Sequence, residues 1–174
     1  PEKLLTPEQS VKKIKNGSRV FIGTGCGEPQ RLIKAMVENQ SAQDIIVYQM
    51  LSSSLSNYVH DEKFLSRFSI KLFFISVLMR QSAFEGKIDY IPVYLSQIPK
   101  IFEHREIGLD VALIQVCPPD KHGYCSLGIS VDITLSGMKN ADLVIAQINP
   151  QMPRTWGDSV VHIDEIDFLV EYEE

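Results

Sequence analysis

The sequence predicts an α/β chain built on a mainly parallel sheet, and three observations carry that prediction. Short runs rich in β-branched and aromatic residues recur with almost no charge inside them: Arg19-Val-Phe-Ile22, Asp44-Ile-Ile-Val-Tyr48, Lys71-Leu-Phe-Phe-Ile75, Val111-Ala-Leu-Ile-Gln-Val116 and Leu143-Val-Ile-Ala-Gln-Ile148. Such runs suit strands covered on both faces of a sheet. Between them lie helical patterns, and strands alternating with helices imply βαβ units with right-handed crossovers. Finally, segments dense in Gly and Pro directly follow several of these runs, where open α/β sheets bind their ligands.

The elements follow in order. Thr6-Pro-Glu-Gln9 is a helix start, with Thr6 as cap, Pro7 at the first helical position and Gln9 completing a capping box. Val11 and Ile14 then face inward, and Asn16-Gly17 ends the helix. After the strand at 19–22 and a glycine turn, a helix opens near Pro29 with Leu32, Ile33, Met36 and Val37 on one face. The strand at 45–48 leads into the serine loop Ser52-Ser-Ser-Leu-Ser56, and the strand at 71–75 into a short helix after Arg80 that Gly86 closes. Tyr90-Ile-Pro-Val93 carries a proline and reads as an edge strand or connector. Helices are expected from Gln97 to His104 and from Thr134 to Asn140, around the strands at 111–116 and 143–148.

Bulk properties narrow the field. A chain of 174 residues buries roughly 70% of its unfolded surface as one domain, so residues 1–174 are read as a single domain. The net charge of −5 comes largely from Asp164, Glu165, Asp167, Glu171, Glu173 and Glu174, an end read as a solvated helix or tail. The remainder is close to neutral, which argues against a nucleic-acid surface and permits a local pocket for a small polyanion. Three cysteines, an odd number, fit a reducing cytoplasmic setting. With no apolar run near the ~20 residues of a membrane span, no membrane role is expected. Pro1 in place of a methionine and the end at Glu174 suggest a trimmed or processed chain.

Several constellations invite chemistry. Gly23-Thr-Gly-Cys-Gly-Glu-Pro29 joins a strand to a helix, so its amides and the helix dipole suit an anion, while a tight turn that needs glycine for positive φ is the plainer alternative. Glu28 repels an anion there unless its side chain points away, and it stands where a dinucleotide fingerprint requires glycine. Cys117, His122 and Cys125 lack the fourth ligand and the spacing of a zinc site, so no metal is expected, and the thiols read as small buried hydrophobes. Arg80 and Arg154 each follow a strand, where a guanidinium grips a carboxylate or phosphate through two parallel bonds. The alternative is an ion pair, with Asp158 the natural partner of Arg154. Arg80 reads as the more structural and Arg154 as the more functional. Ser52–Ser54 reads as a turn, and Trp156 as packed beneath its loop.

Two segments, Cys117-Pro-Pro-Asp-Lys-His-Gly-Tyr-Cys-Ser-Leu-Gly128 and Ile148-Asn-Pro-Gln-Met-Pro-Arg-Thr-Trp-Gly-Asp158, closely resemble the acetyl-CoA hydrolase/transferase family, which includes 4-hydroxybutyrate and succinyl-CoA:acetate CoA-transferases. Gly17–Pro29, Gly86–Pro92 and His162–Val170 extend the resemblance, which covers that family's amino-terminal half. It implies a three-layer, Rossmann-like fold shared by sugar-phosphate isomerases and CoA-transferases. It also implies coenzyme A as part of an acyl-CoA substrate, a small carboxylate as second substrate, and a carboxyl-terminal half carrying the nucleophilic glutamate. No catalytic residue is therefore assigned within this chain, and a homo-oligomer is left open. Gly25, Gly27 and Pro29 are expected as a pocket wall, Ser126 and Gly128 as a backbone approach to the cleft, and Arg80 and Arg154 as substrate contacts, with Lys121 and His122 undecided. The chain alone is expected to be inactive. The rival reading is a stand-alone nucleotide- or carboxylate-binding module without catalysis.

Overall fold

The computed structural model describes residues 3–173. Its strands are β1 (Arg19–Ile22), β2 (Ile45–Gln49), β3 (Phe68–Leu72), β4 (Asp89–Tyr90), β5 (Leu109–Val116), β6 (Tyr124–Ser126), β7 (Ala141–Ile148), β8 (Val160–His162) and β9 (Phe168–Glu171). Its helices are α1 (Pro7–Val11), α2 (Gln30–Glu38), α3 (Glu62–Leu65), α4 (Arg80–Phe84), α5 (Ile98–Glu103) and α6 (Thr134–Lys139). Seven strands form one sheet in the order β4-β3-β2-β1-β5-β7-β9, with every neighbouring pair parallel. The five predicted strands all lie in it, and Asp89–Tyr90 is its edge.

Alternation along β1 shows how three layers arise. Val20 and Ile22 turn to one face, where Val11 of α1, Leu32 and Met36 of α2 and Phe64 of α3 complete a core. Phe21 turns to the other, against Phe102 of α5 and Met138 of α6. The Phe21 and Phe102 rings meet edge-on at 5.7 Å, a geometry that adds about 0.5–1.5 kcal/mol to their burial. Helix α6 comes this close because Gly137 bears no side chain: a Cβ there would lie 2.5 Å from the Phe21 ring. At the other end of the chain the expected capping box forms, with Gln9 N donating to Thr6 Oγ1 at 3.2 Å and Thr6 N to Gln9 Oε1 at 3.1 Å.

Three expectations shift. The strand predicted at 71–75 is β3, starting at Phe68: Phe68, Ile70 and Leu72 alternate inward while Ser69 is exposed. The denser run continues past the sheet, where Phe73 packs on Phe102 at 6.0 Å. The acidic end is not a solvated helix or tail up to Glu171, because β9 pairs with β7 from Ile145↔Phe168 to Ile148↔Glu171. Apolar Leu169 and Val170 are buried there while Asp164, Glu165 and Glu171 take exposed positions. Finally, β6 and β8 form a separate antiparallel pair that the sequence reading did not anticipate.

The topology locates the crevice. The connection from β1 through α2 runs to one side of the sheet, and the one from β5 through α6 runs to the other. Adjacent strands whose connections diverge leave a gap at their carboxyl ends, here between the loops after β1 and β5.

Candidate functional site

The glycine turn fills one side of that crevice. Gly25–Gly27 is a single 3₁₀ turn, with Gly25 at φ 59°. Three of its amides are already occupied: Gly25 N donates to Leu51 O at 3.2 Å, Gly27 N to Thr24 O at 3.1 Å and Glu28 N to Gly25 O at 3.3 Å. The helix after it is capped from within as well, since Gln147 Oε1 accepts from Arg31 N at 3.2 Å and Leu32 N at 3.4 Å. These bonds favour the tight turn, the plainer of the two readings of this segment, over a free anion site. Gly25 and Gly27 do line a cavity on this edge, with Cys26, Met50, Leu51 and Ile129 beside them. Pro29 lies buried behind it as the cap residue of α2.

Glu28 explains the serine loop. Its side chain is 2% exposed and points away from the turn. Ser53 N donates to Oε1 at 2.7 Å, Gln49 Nε2 to the same oxygen at 3.1 Å, and Ser54 N to Oε2 at 2.8 Å, with the Ser54 hydroxyl also bonded to Oε2. A buried carboxylate is tolerated when donors replace its water, and here the loop after β2 supplies them. The serine loop thus holds a carboxylate of the protein itself, and in doing so joins the loops after β1 and β2.

A row of buried carboxamides, missed in the sequence reading, underlies the crevice. Gln49 Nε2 donates to Gly23 O at 2.9 Å, Gln115 Nε2 to Glu28 O at 3.2 Å, and Asn149 Nδ2 to Gln115 Oε1 at 2.7 Å. Gln49, Gln115, Gln147 and Asn149 are all at most 6% exposed. Each stands at the carboxyl end of an otherwise apolar strand, a position that was readable as a signal, because a carboxamide buried there needs a partner.

The loops after β5 and β7 are bound into one unit. The Ser126 hydroxyl accepts from Gly128 N at 3.0 Å and Thr155 N at 3.1 Å. Gly128, at φ 61°, packs so tightly under Met152 that a Cβ would lie 2.9 Å from Pro153 O. Arg154 Nη2 pairs with Asp120 at 3.2 Å, not with Asp158, the partner weighed in the ion-pair alternative, and donates to Tyr124 O at 2.6 Å; its Nη1 reaches Cys117 Sγ at 3.3 Å. Asp120 won because it caps its own turn beside that carbonyl. The Tyr124 amide first, then that of His122 and the Arg154 guanidinium, hold its carboxyl below the usual range. Cys117 and Cys125 are buried, whereas Cys26 is exposed, contrary to the buried reading of all three. Burial pushes the Cys125 thiol up to about 11, which makes it a poor nucleophile.

The remaining candidates are spread along the same edge. Arg80 opens α4, behind the edge-side strand β3 and two strands from β1; it is exposed and makes no ion pair among the described residues. Lys121 and His122 are exposed, and the His122 carbonyl faces His162 Nε2 at 3.0 Å. Trp156, expected beneath its loop, is 85% exposed. Thr155 is anchored by Ser126 and Gly157 reverses the chain at φ 87°, so the side chain between them projects outward. Among the described residues no group of three His, Cys, Asp or Glu side chains is placed to hold a metal.

Residues 1–174 match the family model described as the acetyl-CoA hydrolase/transferase N-terminal domain. The 4-hydroxybutyrate coenzyme A transferase of Clostridium kluyveri is 39% identical over 171 residues, covering 98% of this chain and 40% of that protein. A succinyl-CoA:acetate/propanoyl-CoA:succinate CoA transferase of Fasciola hepatica is 37% identical over 156 residues, 88% of this chain and 32% of that one. Among solved structures, RipA of Yersinia pestis superposes with a TM-score of 0.90 at 30% identity, over 99% of this chain and 43% of its own. The chain therefore spans 32–43% of the length of these relatives.

Proposed function

The chain belongs to the acetyl-CoA hydrolase/transferase family, as its amino-terminal domain, and from that premise we propose that it forms one wall of the acyl-CoA cleft of a CoA-transferase or acyl-CoA hydrolase. The nucleophilic glutamate comes from a carboxyl-terminal half of the same polypeptide. That glutamate attacks the thioester carbonyl, expels CoA as thiolate and leaves an acyl-glutamyl anhydride. The thiolate then attacks the glutamyl carbonyl, which releases the first carboxylate and leaves a glutamyl-CoA thioester. A second carboxylate, or water, resolves it. Covalent catalysis of this kind divides one hard exchange into easier steps.

The observation that carries the reading is the state of Glu28. It is the glutamate beside the crevice, and four donors from Gln49, Ser53 and Ser54 already occupy its carboxylate. A carboxylate so bonded is a poor nucleophile, which supports an attacking glutamate supplied from outside this wall. The internal bonds of the Gly25, Gly27, Glu28, Arg31 and Leu32 amides also weigh against a self-sufficient nucleotide site.

The test compares residues 1–174 with a polypeptide extended to the length of the relatives. The extended protein is expected to exchange CoA between acyl-CoA and acetate and to form a CoA adduct visible by intact mass, and residues 1–174 to do neither. CoA transfer by residues 1–174 in a preparation free of other enzymes would overturn the reading.

A further inference from the structure

Asp132 stands where two cavities on the carboxyl edge of the sheet meet. One, of about 270 Å³, is lined by the Gly25–Gly27 turn with Met50, Leu51 and Ile129. The other, of about 370 Å³, lies between Ser130, Leu135 and Trp156. Asp132 lines both, and Asp158 the second; no Lys, Arg or His lines either. Oδ1 of Asp132 accepts from Thr134 N at 2.8 Å and from its hydroxyl at 2.7 Å, while Oδ2 has no partner among the described residues. The wall between the cavities holds a second unmatched group: Ser130 Oγ is buried, has no hydrogen-bond partner among the described residues, and sits directly against Gly27, where any Cβ would overlap it.

We propose that the smaller cavity receives the tail of the acyl group and that Asp132 sets its specificity, admitting short uncharged or hydroxyl-ended chains and rejecting those with a second carboxylate. This rests on the reading of the chain as a wall of an acyl-CoA cleft. Sulfur, aliphatic and glycine groups accept a short hydrocarbon tail. A hydroxyl at its end finds an acceptor in Asp132 Oδ2. A carboxylate there meets the like charge of Asp132 and no cation, which is discrimination by repulsion. Asp132 is thus a specificity residue, apart from the covalent steps.

The experiment uses the full-length polypeptide with acetate as acceptor and compares kcat/KM for butyryl-CoA, 4-hydroxybutyryl-CoA and succinyl-CoA. Succinyl-CoA is expected to be used about 10-fold or more less efficiently than butyryl-CoA, since like charges at close range cost at least that much. Asp132→Asn keeps the acceptor for Thr134 and removes the charge, and is expected to raise the succinyl-to-butyryl ratio about 10-fold. Ile129→Lys, at a half-exposed rim position, adds a cation and should move the ratio the same way. Wild-type preference for succinyl-CoA, or an unchanged ratio in both variants, would overturn the inference and leave the family reading standing. Failure to use any acyl-CoA would remove both.

Discussion

Ser53 and Glu28 are joined across two loops by a 2.7 Å bond from the backbone amide of one to the carboxylate of the other. The contact converts two irregular connections into one rigid wall. Glu28→Ala strands the Ser53 and Ser54 amides and should cost about 3 kcal/mol. Thermal unfolding should show a drop of about 6–12 °C. Glu28→Gln, which retains one acceptor oxygen, should recover part of it.

The carboxamide row makes a related prediction. Gln115→Leu deletes the donor to Glu28 O and the acceptor of Asn149 Nδ2 while keeping most of the volume. Losing these buried bonds should lower stability by about 1–3 kcal/mol, read by urea titration with an unchanged m-value.

Gly128→Ala should destabilise by about 1–3 kcal/mol, because its φ of 61° disfavours a side chain and its Cβ would overlap Met152. Gly157→Ala is the comparison: its φ is also positive, at 87°, but nothing lies within 4 Å of the added Cβ. The smaller loss there measures backbone strain alone.

Two groups predict opposite pH behaviour. Asp120 is depressed below its ordinary value by the Tyr124 and His122 amides and by Arg154. Its contribution is present above the unfolded carboxylate value of about 3.9, and is lost as pH falls through the lower folded value. Cys125 is raised from 9.0 to about 11. Its neutral thiol is favoured in the fold, so that stability is complete below the unfolded value and lost as pH rises toward 11. Urea midpoints of wild type and Cys125→Ala, measured at pH 8 and near pH 10, should converge as the pH rises. A constant gap would contradict the burial argument.

Thiol exposure is directly countable. Cys26 is exposed while Cys117 and Cys125 are buried, so one thiol should react promptly with an aromatic disulfide under native conditions. The other two should follow only on unfolding. Three equally fast thiols would show that the loops after β5 and β7 open freely.

What the sequence disclosed was what periodicity and local chemistry encode. The Thr6–Gln9 capping box, the strands at 19–22 and 111–116 and the Gly86 terminator act within a few residues, and all appear as expected. β9 was hidden because its acids are conspicuous and its three apolar residues are not; only pairing with Ile145–Ile148 separates an edge strand from a tail. At the site, the convergence of the Gly25 and Gly128 loops followed from parallel strands ending on one edge. The partners did not. That Arg154 selects Asp120, and that the serine amides serve Glu28, depend on contacts 34 and 25–26 residues apart or on loop geometry that no local pattern specifies.

The last strand lies beside the first described residues: Leu5 N donates to Leu169 O at 2.9 Å, Leu169 N to Lys3 O at 2.8 Å, and Lys3 Nζ reaches Ile166 O across 163 positions of sequence. A nascent chain leaving the ribosome therefore carries an amino-terminal segment whose docking partner does not yet exist. At 5–20 residues per second that interval lasts on the order of 10–30 s. Throughout it, the outer edge of β7 waits unpaired, exposed to pairing with other chains.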